Sequence, residues 1–150
     1  MRALAPLLAL SLASCAFGVE QYRERPPAVD LAIRLVDDDA EEALPRWDGS
    51  ETLHLAGGAI VRAEHIENVR LLESAAGEQV IVLLLRDPGR DRLREVSAQH
   101  VGDRLAIVAA GRVVAAPVIR AELTESEAYV QVPAEQRDDV FRAMCAAAAP

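Results

Sequence analysis

The sequence predicts an α+β domain, a mostly antiparallel sheet with two main helices packed on it, and three observations carry that prediction. Val101 to Ile119 is two apolar, β-branched runs around a short segment holding Gly111, a residue able to take the positive φ of a tight hairpin. Val80 to Leu85 is six apolar residues without a break, as expected of a central strand covered on both faces. Asp87-Pro88 and Pro133 each read as a helix start, the first with a capping side chain ahead of proline.

The elements follow in chain order. Met1 to Gly18 has one basic residue, Arg2, then the apolar run Leu4 to Leu12 and small residues, which is the layout of a secretory signal and short for a transmembrane helix. It ends in Leu12-Ala13-Ser14-Cys15, a fit to the bacterial lipobox, so residues 1–14 are expected to leave and Cys15 to carry diacylglycerol. The alternative is ordinary cleavage after Ala16, with Ser14 and Ala16 as the small pair. Ala16 rather than Asp after the Cys leans the sorting expectation toward the outer membrane. With Cys15 acylated, Cys145 is the one thiol left and no internal disulfide can form. Its spacing from Val140, Phe141, Met144 and Ala148 puts it on an apolar helical face, as a buried small side chain.

Residues 15–29 are polar around Pro26-Pro27 and read as a tether that stands the domain off the lipid. The domain then occupies 30–146, with a tail at 147–150. Asp30 to Val36 alternates as a strand with Leu31, Ile33 and Leu35 on one face and Arg34 on the other. Asp37-Asp38-Asp39 with Glu41-Glu42 lacks the glycine and ligand spacing of a calcium loop and reads as a solvated acidic loop. Trp47-Asp48-Gly49-Ser50 makes a turn, with Trp47 either against the core or exposed. Leu53 to Val61 suggests a short strand pair broken at Gly57-Gly58, and Arg62 to Ile66 one helical turn. Asn68 to Ser74 is a strand with Val69 and Leu71 inward, and Gly77 turns the chain into Val80 to Leu85. The first helix runs to about His100 with Leu93 and Val96 inward. Ala128 to Val132 is a last strand before the helix that Pro133 opens.

Composition bounds the function. Half the chain is hydrophobic, only 3% is aromatic, and all 16 basic residues are Arg, so the core is built from Leu, Val, Ile and Ala. Net charge is -8, and one positive charge less once Arg2 leaves with the signal. An acidic chain without a basic cluster repels phosphate backbones, which argues against nucleic acid as a partner. His54, His65 and His100 lie far apart with nothing at metal-ligand spacing, and Glu64 is expected to point away from its neighbour His65. No nucleophile elbow, phosphate loop or C-x-x-C occurs, so no catalytic residue, metal or cofactor is expected.

What the residues leave is an edge. Pro117 cannot donate to a sheet ladder and belongs at a strand end or sheet edge. An edge there could add an extended peptide main chain to main chain, with Val114, Ala116, Pro117, Val118 and Ile119 as the candidate binding residues. The alternative is an edge merely blunted against aggregation.

The same stretch resembles a family. Val101, Gly102, Leu105 to Val108, Gly111, Arg112, Val113 and Ala116 to Val118 give V-G-x-x-L-A-I-V, a turn, then V-x-x-A-P-V. This is similar to the head of the first periplasmic region of SecD, an accessory subunit of the Sec preprotein translocase. Ala110 stands where that family usually has Asp. The similarity extends over roughly Leu31 to Ala146, with Leu31 to Asp39 like the opening strand and acidic turn, and Ile66 and Arg70 matching further on. It departs where glycine-rich segments become Leu123-Thr124-Glu125-Ser126 and a direct Val132-Pro133, so a function of that glycine loop does not carry over. The resemblance implies an α+β fold and contact with an emerging preprotein, without catalytic residues. The family's proton-coupled movement uses charged transmembrane helices that this chain does not offer. The expectation is therefore a head domain tied to lipid through Cys15 on the periplasmic side of the envelope. Its partner would be a secreted polypeptide or a Sec translocase component.

Overall fold

A computed structural model describes residues 19–147, with side chains from Arg23 onward; the signal and Cys15 lie outside the described residues. In chain order the elements are β1 (Val19–Arg25), β2 (Ala32–Leu35), β3 (Ala43–Pro45), β4 (Thr52–His54), β5 (Val61–Arg62), a 3-10 turn (Ala63–His65), β6 (Ile66–Ser74), β7 (Gln79–Leu85), α1 (Asp87–Gln99), β8 (Leu105–Ala109), β9 (Arg112–Ala115), β10 (Glu127–Val130) and α2 (Ala134–Met144). They form two four-stranded antiparallel sheets, ordered β1-β6-β7-β10 and β5-β2-β8-β9, with β3-β4 as a small ribbon. The α+β prediction holds.

One core joins both sheets and both helices. Ile33, Leu105 and Ile107 of the second sheet meet Val69, Leu71, Ile81 and Leu83 of the first, with Leu93 of α1 and Val140, Phe141 and Met144 of α2 closing it. In β7 the consecutive residues Ile81, Val82 and Leu83 are all buried, so both faces are covered, as the uninterrupted apolar run requires. In β6 the buried positions run Ile66, Val69, Leu71, one residue out of strict alternation. A bulge between Ile66 and Asn68 resets the phase and keeps all three inward.

The β8–β9 hairpin turns on two residues, and both have positive φ, Ala110 at 52° and Gly111 at 71°. That is the twist a two-residue hairpin needs, although one of its residues carries a Cβ. Asp30 Oδ2 accepts the Ala110 N–H at 2.9 Å and ties the turn to the entrance of β2.

Several sequence expectations are corrected. The tether expected over 15–29 is not one throughout, because β1 occupies Val19–Arg25 and pairs with β6. Its alternation is polar and charged on a sheet edge, which a reading based on apolar periodicity passes over. Leu53 to Val61 does not pair with itself; β4 pairs with β3 and β5 with β2. Arg86, not Asp87, is the cap of α1, without a side-chain hydrogen bond, and Asp87 instead meets Arg90 at 3.3 Å. Glu42 of the acidic loop is not simply solvated, because two 2.7 Å hydrogen bonds join it to the nearly buried Arg34. Cys145 is buried as expected but follows the helix, on an extended segment bridged to Pro27. Glu64 does not point away from His65; its carboxylate lies 3.7 Å from Nε2.

Candidate functional site

The site is a trough between the chain after β9 and the free edge of β10. A cavity of about 430 Å³ is lined by Leu105, Val118, Ile119, Leu123, Glu125 and Ala128 among others. A second, of about 340 Å³, shares Ile107, Pro117 and Tyr129 with it and continues past Ala116 to Gln131. Of the five exposed large apolar side chains among the described residues, Val118, Leu123 and Tyr129 belong to the first cavity's wall, and Val29 and Val101 do not.

The main chain of one wall follows from residues 102–105. Leu105 N–H donates to Pro117 O at 2.9 Å, Ile119 N–H to Asp103 O at 2.7 Å, and Gly102 N–H to Ile119 O at 2.8 Å. Those bonds flank the bridge Arg104↔Val118, which is therefore the non-hydrogen-bonded pair of the ladder. Val118 consequently turns its own N–H and C=O outward. Arg104 Nε caps Ala116 O at 3.3 Å, so that carbonyl is already taken.

The opposite wall obeys the same alternation. Leu85 N–H donates to Ser126 O at 2.7 Å, and the register sets Glu127 opposite Leu84 and Tyr129 opposite Val82. Glu127 and Tyr129 are then the non-bonded positions, and their main-chain groups face away from β7. Two sheet edges thus line one apolar trough, each offering backbone donors and acceptors. Tyr129 Oη donates to Glu127 Oε2 at 2.9 Å, and that bond holds the phenol above its usual pKa.

Of the residues the sequence proposed, Ala116, Pro117, Val118 and Ile119 line the trough. Ile119 does so from a buried position and Val118 from an exposed one. Val114 is 4% exposed in the core and lines neither cavity. Trp47 is half-buried and packs against the core, and the hydrogen bond it makes to β9 is a main-chain one. Its N–H donates to Val113 O at 2.9 Å and its ring lies under the Arg112 guanidinium at 5.4 Å, so that part of β9 is already covered.

Neither the role of β10 as the second wall nor that of Ser97 shows in the sequence. Ser97 is fully buried in α1; its Oγ donates to Arg94 O at 3.0 Å and accepts the Leu123 N–H at 2.8 Å. One hydroxyl thereby fixes the Leu123 loop to the helix. A lone Ser among helical charges gave no signal, since its partner is 26 residues away. Gly89 was missed for a similar reason: a Cβ there would lie 2.7 Å from His65 Cβ, so α1 sits on the 3-10 turn only because the position is glycine.

The three histidines each have a structural partner. His54 Nδ1 meets Ala40 O at 2.8 Å, His65 Nδ1 accepts the Arg62 N–H at 3.2 Å, and His100 Nδ1 lies 3.0 Å from Asp103. Burial pushes the Cys145 thiol up to about 11, which removes thiolate at neutral pH. Among the described residues no helix is long and apolar enough to cross a membrane.

Comparison with known proteins adds the following. The family model of the SecDF P1 head subdomain matches residues 40–138. The protein translocase subunit SecDF of Thermus thermophilus is 32% identical over 75 residues, covering 50% of this chain and 10% of that protein. The chain therefore spans about a tenth of the length of that relative. A solved structure described as a membrane component SecDF that enhances protein export superimposes with a TM-score of 0.58 at 21% identity, over 79% of this chain and 61% of the other. The crystal structure of SecDF in a super-membrane-facing form gives the same score and identity over 18% of its chain. At that identity the two structures establish the fold.

Proposed function

This chain belongs to the SecDF P1 head subdomain family, and from that premise we propose that it is a non-enzymatic, lipid-anchored envelope protein that holds an extended polypeptide in the trough. The partner is a secreted chain or a component of the Sec translocase, met on the periplasmic side. Cys15 carries the lipid that keeps the domain at the membrane. The observation that carries the reading is the pair of strand edges facing one apolar trough, with main-chain groups at Val118 and Tyr129 that turn outward and have no main-chain partner among the described residues. Pairing through backbone suits a partner recognised for being unfolded, because it reads no particular side chain. The apolar walls then favour segments that have not yet buried their own cores. A non-enzymatic role is supported by the separate structural partners of the three histidines and by the protonated, buried thiol.

The test is crosslinking in intact cells from a photoreactive residue at Val118, Arg120 or Tyr129, with a fourth placed at Glu41 as the control. Capture of many secreted chains or Sec subunits from the trough positions and not from Glu41 is the expected result. Capture of one unrelated envelope protein from all four would sink the link to translocation and leave a domain redeployed in envelope structure.

A further inference from the structure

We infer that the sheet end bearing Val19 and the β6–β7 turn lies against the lipid headgroups, and that the Glu127 end of the trough faces away from the membrane. This rests on the lipidation of Cys15 proposed above. Contour length sets the constraint. Cys15 and Val19 are four residues apart, and whatever their conformation four residues span at most about 14 Å. A tether running over the whole of 15–29 would have reached about 50 Å by the same rule. The pairing of β1 with β6 removes most of that reach, because Val19 is already opposite Ser74 in the sheet.

Ser74 begins the turn into β7, closed by Ser74 N–H to Glu78 O at 2.8 Å and Gly77 N–H to Ser74 O at 2.9 Å. Its tip, Ala75, Ala76 and Gly77, is exposed, small and uncharged. The acidic neighbours Glu73 and Glu78 give this end no attraction to anionic lipid, so the leash and not charge holds it there. The trough wall runs along the sheet, and its Glu127 end is the one remote from the turn. Glu127 is opposite Leu84, five residues beyond Gln79 at the turn, which is about 17 Å along the strands, whereas Val130 is opposite Ile81.

Two variants that each add one cysteine, Ala76→Cys and Thr124→Cys, test the orientation in the full lipidated chain. Each is spin-labelled and reconstituted in phosphatidylcholine–phosphatidylethanolamine vesicles carrying a nickel-chelating lipid. Cys145 does not compete for label, being buried with its thiol pushed up to about 11. Surface nickel is expected to enhance relaxation severalfold more at position 76 than at position 124. A Gly-Ser insertion of about twelve residues after Ala16, averaging roughly 20 Å in span, should abolish the difference. Equal enhancement at the two positions before insertion, or an unchanged difference after it, overturns the inference. Cys15→Ser separates the two readings: vesicle cosedimentation that survives it refutes the lipid anchor, whereas lost cosedimentation with equal enhancement in the parent refutes the orientation alone.

Discussion

Three residues, none of them lining the trough, show how single positions set the stability of the domain. Ser97→Ala removes the acceptor of the Leu123 N–H from a part-buried hydrogen bond, and losing such a bond costs about 0.5–1.5 kcal/mol. The expected outcome is a loss in that range in urea unfolding. Faster amide exchange at Leu123 should accompany it and would separate this account from general loosening of α1. Gly89→Ala gains up to about 1 kcal/mol of helix propensity, yet its new Cβ meets His65 Cβ at 2.7 Å with backbone behind it. Overpacking of that kind costs about 1–3 kcal/mol, so a net loss is expected, and a more stable variant would contradict the close approach. Ala110 is the reverse case. Holding a Cβ at φ 52° is strained by about 1–2 kcal/mol, and Asn tolerates that region. Ala110→Asn is expected to raise stability by about 0.5–1 kcal/mol, read as a higher urea midpoint with an unchanged slope.

At the scale of elements, what was legible in the sequence divides by the range of the interaction that fixes it. The β8–β9 hairpin, the β6–β7 pair and both helices are specified by neighbours: a turn glycine, an apolar run, a proline at a helix start. Elements whose reason lies far along the chain were hidden. β1 is charged and polar and becomes a strand only because β6, some 50 residues later, offers its edge. β3 and β4 are three residues each, too short for a period to show. The trough was half legible for the same reason. Pro117 announces an edge by its own chemistry, while the facing wall depends on β10 completing a sheet with β7, which is a matter of topology. The resemblance also departs at Leu123 to Ser126, and that loop is part of the trough wall. A trough retuned for a different partner would vary at this loop, not in the core strands. Val118→Pro checks the edge directly: it removes the outward N–H and keeps an apolar side chain. Crosslinking through Tyr129 should fall while urea unfolding stays within about 1 kcal/mol; undiminished capture would mean that the wall does not bind through its main chain.

For the molecule as a whole, the acidic surplus meets a small set of arginines in places that tie sheets to loops. Arg34 forks onto Glu42 and also donates to Ala56 O at 2.8 Å, joining β2 to the segment before β5. Arg46 and Arg104 converge on Glu51 at 3.1 and 3.4 Å, joining the β3–β4 ribbon to β8. The hydrogen bond from Arg34 is the main reason that the Glu42 carboxyl titrates below its usual range. Arg46 does the same for Glu51, and Ser50 for Asp48. Each of these groups binds a proton more readily in the unfolded chain than in the folded one, so each contributes stability that is present above the ordinary carboxylate pKa and lost as pH falls through the depressed value. Stability is therefore expected to be level near neutrality and to fall once pH drops below about 4. Glu42→Gln assigns that slope. It should lower the melting temperature at pH 7, because the nearly buried Arg34 guanidinium then faces a neutral amide, and the gap to the parent should close at acid pH, where Glu42 is protonated in both states. A gap of constant size across that range would mean that the Arg34–Glu42 fork holds the loop by shape alone and that the acid sensitivity originates elsewhere in the chain.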